Sequence, residues 1–146
     1  MSLFRIFDIT GSAMSAQSVR LNTTASNLAN AESVSSSAET TYRARRPVFA
    51  AALADAMQDG TSGGSGSEGA LGVEVKGIVE SQAPLAREYN PAHPMADKDG
   101  FIYRSNVNQV EEMADMMSAS RSYQTNVQVA DSAKQMLLQT LRLGKG

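Results

Sequence analysis

The chain has 146 residues, a formal net charge of −2 and no cysteine, which excludes a disulfide framework and a thiolate metal site. Only 5% of its residues are aromatic and none is tryptophan, so any core is thin and rich in alanine and aliphatic side chains. The charge offers no broad basic surface for nucleic acid, and no stretch approaches the ~20 apolar residues that cross a bilayer.

The N-terminal segment, from about residue 4 to residue 31, predicts a long helix. Positions 7, 10, 14, 17, 21, 24, 28 and 31 follow one another in steps of three and four. This spacing keeps one stripe of a helix against one partner. Gly11 is a weak point at which the first turns can bend, and we expect the serine-rich run 32–37 to end the helix.

The first part of the middle predicts extended chain followed by a loop. Residues 41–49 favour strand or polyproline geometry, because Pro47 restricts the residue before it. Residues 50–58 fit a helix or a strand equally well. The Gly/Ser run 59–69 predicts a flexible hairpin tip or a linker.

The second part of the middle predicts one strand and a loop-rich stretch. Residues 73–79 alternate with period two and are interrupted at Gly77, which indicates a short broken strand. Three prolines between residues 84 and 94 indicate extended loops. Asp99 and Gly100 form a turn signal before an apolar patch at residues 101–103.

The C-terminal segment, from about residue 106 to residue 143, predicts a second long helix. Its 3-4 spacing runs through positions 116, 119, 123, 126, 130, 133, 137 and 140. Asparagines at 106–108 provide caps, two glutamates follow in the first turn, and Arg142 precedes Gly144 at the end. A helix of this length needs the N-terminal helix and other chains beside it.

These elements predict an α+β fold in which the two terminal helices pair as an antiparallel coiled-coil-like domain. That domain comprises residues 1–34 and 105–146. Residues 35–104 form a small β-rich, loop-rich central region with the flexible tip at 59–69.

Motifs for chemistry are present only in unsuitable contexts. Residues 64–69 match G-x-G-x-x-G inside a low-complexity run, without the flanking strand and helix of a dinucleotide site. Residues 60–64 match G-x-S-x-G, with Ser62 as the nucleophile and His93 as the only histidine. Residues 95–106 lack the carboxylates of a calcium loop. We therefore predict no enzyme, cofactor or metal.

Several motifs resemble the bacterial flagellar axial proteins, and in particular the family of basal-body rod proteins. Residues 26–31 (SNLANA) resemble a signature of rod and hook subunits. Residues 89–100, 105–113 and 120–126 are more specific, and they agree with rod proteins in order and spacing. Residues 42–49 also resemble the family, so the similarity covers nearly the whole chain.

The resemblance implies a structural rod subunit that self-assembles through its terminal helices and transmits torque. It implies type III export without a cleaved signal peptide, a place in the rod within the periplasmic space, and terminal segments that are largely disordered in the free monomer. The expected partners are other copies, other rod proteins, and base and export-gate components, with no nucleic acid or small-molecule substrate. Alternatives are another rod or hook-type axial subunit, a coiled-coil adaptor, or a hydrolase using Ser62 and His93.

Two groups of residues are the candidate assembly sites. Asn30 and Asn106, near helix ends, are expected to cap, whereas the mid-helix Asn27 and Asn126 are expected to pack between helices. The candidates for helix packing and assembly are Phe7, Met14, Leu21, Asn27, Leu28, Met116, Tyr123, Asn126, Val127, Ala130 and Leu137. The candidates for contacts between subunits are Arg43, Arg45, Arg46 and His93.

Overall fold

Two long helices enclose five strands in chain order in the computed structural model, which describes residues 3–53 and 71–144. The α+β prediction is confirmed in this part of the chain. The predicted Gly/Ser tip lies outside the described residues. The elements are α1 (Leu3–Ala29), β1 (Val34–Ser35), β2 (Arg45–Leu53), β3 (Leu71–Glu80), β4 (Ala86–Tyr89), β5 (Phe101–Arg104) and α2 (Gln109–Leu143).

Helix α1 is continuous from Leu3 to Ala29, so Gly11 does not interrupt it, and the bend at Gly11 stays a prediction. A glycine costs a helix only about 1 kcal/mol, and the many helix-forming residues around Gly11 outweigh that cost. At the other end, the Asn30 side chain donates a hydrogen bond to the carbonyl of Ser26 at 2.8 Å. Asn30 therefore caps the helix, as predicted.

Helix α2 begins at Asn108, whose side chain accepts hydrogen bonds from the amides of Val110 and Glu111. Glutamates in the first turn and Arg142 in the last turn complement the helix dipole. Its 35 residues span about 52 Å at the usual rise per residue. In the part of the chain that the structure describes, neither helix combines the length and hydropathy needed to cross a bilayer.

The two helices contact each other and run in opposite directions. Arg20 forms an ion pair with Asp115, whereas Glu32, just after α1, accepts a hydrogen bond from Gln109 at the start of α2. Near the other end, Ile6 lines the same surface cavity as α2 residues 125–136. Residues earlier in α1 thus lie beside residues later in α2, and the pair is antiparallel.

The strands form two small antiparallel sheets. One has the order β1-β5-β4, and the other is the β2–β3 hairpin, which packs on α1. In the hairpin Val48 pairs with Gly77 and Phe49 pairs with Val75, so β3 carries an extra residue next to Gly77. The predicted break at this position is therefore a β-bulge within one continuous strand.

Strand β4 was not predicted, because residues 84–94 read as loop. Its four residues are all exposed and show no burial alternation. It forms through pairing with β5, to which it is connected by residues 90–100, and that connection ends in a turn at residues 97–100. In that turn Asp97 accepts hydrogen bonds from the amides of Asp99 and Phe101, each at 2.9 Å. Pairing between strands therefore determines this element, and local propensity does not.

The core consists of small side chains and hydroxyls. Among the residues that the structure describes, the buried apolar ones are Ala16, Ala31, Ala44, Ile102, Ala119 and Ala133. Three buried threonines of α1 satisfy their hydroxyls within the helix, as in the 2.7 Å bond from Thr10 to the carbonyl of Ile6. Such side chains let elements approach closely but bury little apolar area, so the chain keeps many large apolar side chains at its surface.

Replacement by alanine is expected to change the stability of the fold in opposite directions at Gly100 and at Gly11. Gly100 has φ +79°, and a Cβ there would lie 3.0 Å from the Tyr89 ring and 3.1 Å from Pro91. Gly100→Ala should destabilise the fold by about 1–3 kcal/mol. Gly11 is helical with open space around it, so Gly11→Ala should stabilise by about 0.5–1 kcal/mol. Thermal unfolding measures both, and equal shifts would contradict the assignment of the turn.

Candidate assembly surfaces and their junction with the sheet

The N-terminal helix is joined to the start of β2 by one buried side chain. Asn27 is 0% exposed, and its amide group donates to the carbonyl of Arg45 at 2.8 Å and accepts from the amide of Arg45 at 2.9 Å. Its oxygen also accepts from the hydroxyl of Tyr42 at 2.9 Å. We expected Asn27 to pack between helices, but within the chain it binds the backbone of a strand.

The segment before α2 is joined to Ala44, the residue directly before β2. Asn106 accepts a hydrogen bond from the amide of Ala44 at 2.8 Å and donates to the carbonyl of Ala83 at 3.0 Å. The prediction that Asn106 caps α2 is therefore wrong. Asn108 is the cap because it directly precedes the first helical turn, whereas Asn106 lies two residues too early.

Charged side chains connect β2 to α2 and α1 to α2. Arg46 pairs with Glu111 at 2.6 Å, and Arg20 of α1 pairs with Asp115 of α2 at 2.8 Å. The hydrogen bond to Glu111 raises the pKa of Arg46 above its ordinary value, and nearby Glu111, Glu112 and Asp115 carboxylates add to this. A raised pKa means that the folded chain holds this proton more tightly than the unfolded chain. The ion pair therefore stabilises the fold at any pH below the ordinary pKa of arginine, which includes the whole physiological range. An exposed pair of this kind contributes about 0.2–1 kcal/mol.

Helix α2 presents exposed apolar side chains on the side that α1 does not cover. We call the α2 apolar face the set Met113, Met117, Val127, Leu138 and Leu141, all of which are exposed. Their spacing places them on one side of the helix. Leu141 is 59% exposed and Met117 is 64% exposed, so one chain alone leaves this face open to solvent. Large apolar side chains that are exposed together on one side of a helix are typical of surfaces that other proteins cover.

The candidate packing residues fall into three groups in the structure. Asn27 is fully buried. Tyr123 and Val127 are exposed on α2, at 37% and 43%. The remaining candidates are half-buried, namely Phe7, Met14, Leu21, Leu28, Met116, Asn126, Ala130 and Leu137. These positions concern one chain, so the predicted role in assembly stays a prediction.

The four candidates for contacts between subunits have partners within the chain. Arg45 pairs with Glu80 at 3.1 Å, and Arg43 donates to the carbonyls of residues 81 and 83. His93 is half-buried, and its Nδ1 accepts a hydrogen bond from the amide of Met95 at 3.1 Å. Contacts of these residues with other subunits stay a prediction.

Sequence reasoning missed Tyr42 and Asp115 as residues of this junction. Tyr42 lies in the predicted extended segment 41–49 and Asp115 in the predicted C-terminal helix, and neither was among the candidate site residues. Their partners lie 15 and 95 residues away along the chain. One signal was available, since Thr23, Thr24 and Asn27 place polar side chains on the inner face of α1 and polar groups in such a position require partners.

Comparison with known proteins gives matches at both ends of the chain and over its whole length. Residues 7–34 match the family model described as flagella basal body rod protein, and residues 98–143 match the model described as flagellar basal body rod FlgEFG protein C-terminal. The flagellar basal-body rod protein FlgC of Salmonella typhimurium is 46% identical over 145 residues, covering 99% of this chain and 100% of the relative.

Two further relatives carry the same name. FlgC of Escherichia coli O6:H1 is 47% identical over 145 residues, with the same coverage of both chains. FlgC of Borreliella burgdorferi is 33% identical over 156 residues and is covered completely, as is this chain. These similarities confirm the resemblance to rod proteins that the sequence motifs indicated, and within the family they confirm FlgC, which those motifs resemble most. The chain therefore belongs to the FlgC family of flagellar basal-body rod proteins.

Proposed function

We propose that this chain, a structural subunit of the flagellar basal-body rod, assembles through its paired terminal helices and transmits torque along the rod. The observation that carries the proposal is the α2 apolar face, which stays exposed although α1 and α2 already pack together. The two helices form a coiled-coil-like unit, and other subunits cover the apolar face.

The helical domain and the central region have different roles in this proposal, and the same geometry supports them. Residues 1–34 and 105–146 form the helical domain that builds the inner part of the rod. Residues 35–104 form a central region whose two sheets contact neighbouring subunits. The β2–β3 hairpin supports this role, because it leaves Val48, Ile78 and Val79 exposed at 43%, 53% and 53%.

The proposed partners and location of the chain follow from its membership of a family of rod proteins. The chain assembles with other basal-body rod components, and we propose that these include further copies of itself together with base and export-gate components. We also propose that it lies within the periplasmic part of the basal body and performs no catalysis. The relatives support this, since they are structural rod proteins.

Thiol reactivity tests the proposed interface, because the natural chain contains no cysteine. Leu141→Cys places one thiol on the α2 apolar face, and Asp99→Cys places one at the exposed β4–β5 turn as a control. In the free full-length chain both thiols should react readily with a maleimide. In purified basal bodies Leu141→Cys should react much more slowly than in the free chain.

The opposite result would count against assembly through α2. If Leu141→Cys reacts as fast in basal bodies as in the free chain, the apolar face is not an interface. If Leu141→Cys is not incorporated, Met117→Cys serves as the second position on the same face, since it is also exposed. If the thiols at positions 117 and 141 both react as fast in basal bodies as in the free chain, the proposal is overturned.

A further inference from the structure

The start of β2 is held from both ends of the chain at once. Ala44 and Arg45 are consecutive, and each of their backbone polar groups has a partner. Asn106 accepts from the amide of Ala44, and the amide of Ser81 donates to its carbonyl at 2.8 Å. Asn27 binds both the amide and the carbonyl of Arg45. One peptide unit therefore joins the binding site of Asn27 to that of Asn106.

The two asparagines belong to different terminal segments. Asn27 lies in the last turns of α1, and Asn106 lies two residues before the cap of α2. The two positions are 79 residues apart in sequence, and the antiparallel helices bring them to the same dipeptide. Asn106 binds the N–H of Ala44 and Asn27 binds the N–H of Arg45, so the two bound groups belong to consecutive rigid peptide units that share the Cα of Ala44, and displacement of one shifts the other.

The bonds are specific to the amide side chain. An asparagine offers an N–H donor and a carbonyl acceptor side by side, so Asn27 pairs with Arg45 as a neighbouring strand would. Aspartate has the same shape but accepts only, and it would face the carbonyl of Arg45 with a second oxygen. Asn106 has the same requirement, since it accepts from Ala44 and donates to the carbonyl of Ala83.

We propose that Asn27 and Asn106 form an asparagine clamp that fixes the β2–β3 hairpin only when both terminal helices are in place. Arg45 begins β2, so the clamp acts at the base of the hairpin. Ordering of the helices then sets the direction in which the hairpin projects. Formation of the helical unit and presentation of the hairpin to a neighbouring subunit thereby become one coupled event. The inference rests on the proposed function, since the relevant ordering occurs in the rod.

Distances between two spin labels test the clamp. In the cysteine-free chain, Ser18→Cys labels the exposed side of α1 and Lys76→Cys labels the exposed side of β3. In purified basal bodies that contain the full-length chain, the distance distribution should be narrow. Asn27→Asp and Asn106→Asp should each broaden it, and the double variant should be no broader than either single variant. Asn22→Asp, at an exposed position of α1, is the matched control and should leave it narrow.

Other outcomes separate failure of the clamp from failure of the proposed function. If the labelled parent chain does not enter basal bodies, although it is produced, the proposed function fails. If it enters and Asn106→Asp stays narrow, the clamp is overturned. A double variant whose broadening is the sum of the two single effects also overturns it, because the two sites then act independently.

A milder variant decides the case in which aspartate prevents incorporation. Tyr42→Phe removes only the hydroxyl that donates to Asn27 and keeps the ring. It should broaden the distribution measurably in basal bodies. A width equal to that of the parent chain would contradict the clamp.

Discussion

A chain that carries Asn27→Leu is expected to be lost from purified basal bodies, and cells that rely on it should not swim. Leucine fills a similar volume but leaves the amide and carbonyl of Arg45 without their partner, and it removes one of the two partners of the Tyr42 hydroxyl, which also contacts the hydroxyl of Ser26 at 3.2 Å. Each buried polar group left unpaired costs about 1–3 kcal/mol. A loss of about 3 kcal/mol would lower the population of the native junction more than a hundredfold.

The control for this prediction lies on the same helix. Asn22 is exposed, so Asn22→Leu makes the same chemical change without removing a buried partner. Quantitative immunoblots of isolated basal bodies and swimming speed should match those of the parent chain for Asn22→Leu. Normal incorporation and motility of Asn27→Leu would show that the junction contributes nothing to assembly.

Leu138→Asp is expected to block assembly while leaving the isolated chain unchanged. Leu138 is 47% exposed on the α2 apolar face, so a carboxylate there remains hydrated in a single chain. In an interface the same carboxylate would be buried without a partner, which costs several kcal/mol. Circular dichroism of the free chain should therefore match the parent spectrum, whereas the amount recovered in basal bodies should fall at least tenfold.

The residue next to Leu138 provides a control variant that adds the same negative charge. Gln139 is exposed in the same turn but lies outside the apolar face, and Gln139→Asp adds the same charge. It should be incorporated at a level close to that of the parent chain. Equal incorporation of Leu138→Asp and Gln139→Asp would exclude the α2 apolar face as an interface.

The two helices were predictable because their signals are local. Steps of three and four recur over 25 residues at each end, at positions 7–31 and 116–140, and these segments lie largely within α1 and α2. Asn30 and Gly144 also lie at helix ends, as expected, since capping depends on a few adjacent residues. Gly11 shows the limit of such reasoning, because a single unfavourable propensity does not interrupt a helix that packs along its length.

The junction was not predictable, because its contacts are distant in sequence. The motif residues Asn27 and Asn106 were identified as important, but their partners in β2 lie 18 and 62 residues away. Strand β4 was missed for the same reason, since its pairing with β5 outweighs its weak local pattern. Periodicity identified the sides of the helices, whereas burial in the structure showed that α2 keeps a second apolar side exposed.

A high-resolution cryo-EM map of purified basal bodies is the most direct test of assembly through the terminal helices. The proposal predicts density for this chain in the rod, with α1 and α2 paired antiparallel and the α2 apolar face covered by neighbouring subunits. It also predicts Asn27 and Asn106 bound to the start of β2. A rod in which this chain contacts its neighbours only through the β2–β3 hairpin and the β4–β5 turn, with Leu138 and Leu141 exposed to solvent, would contradict it.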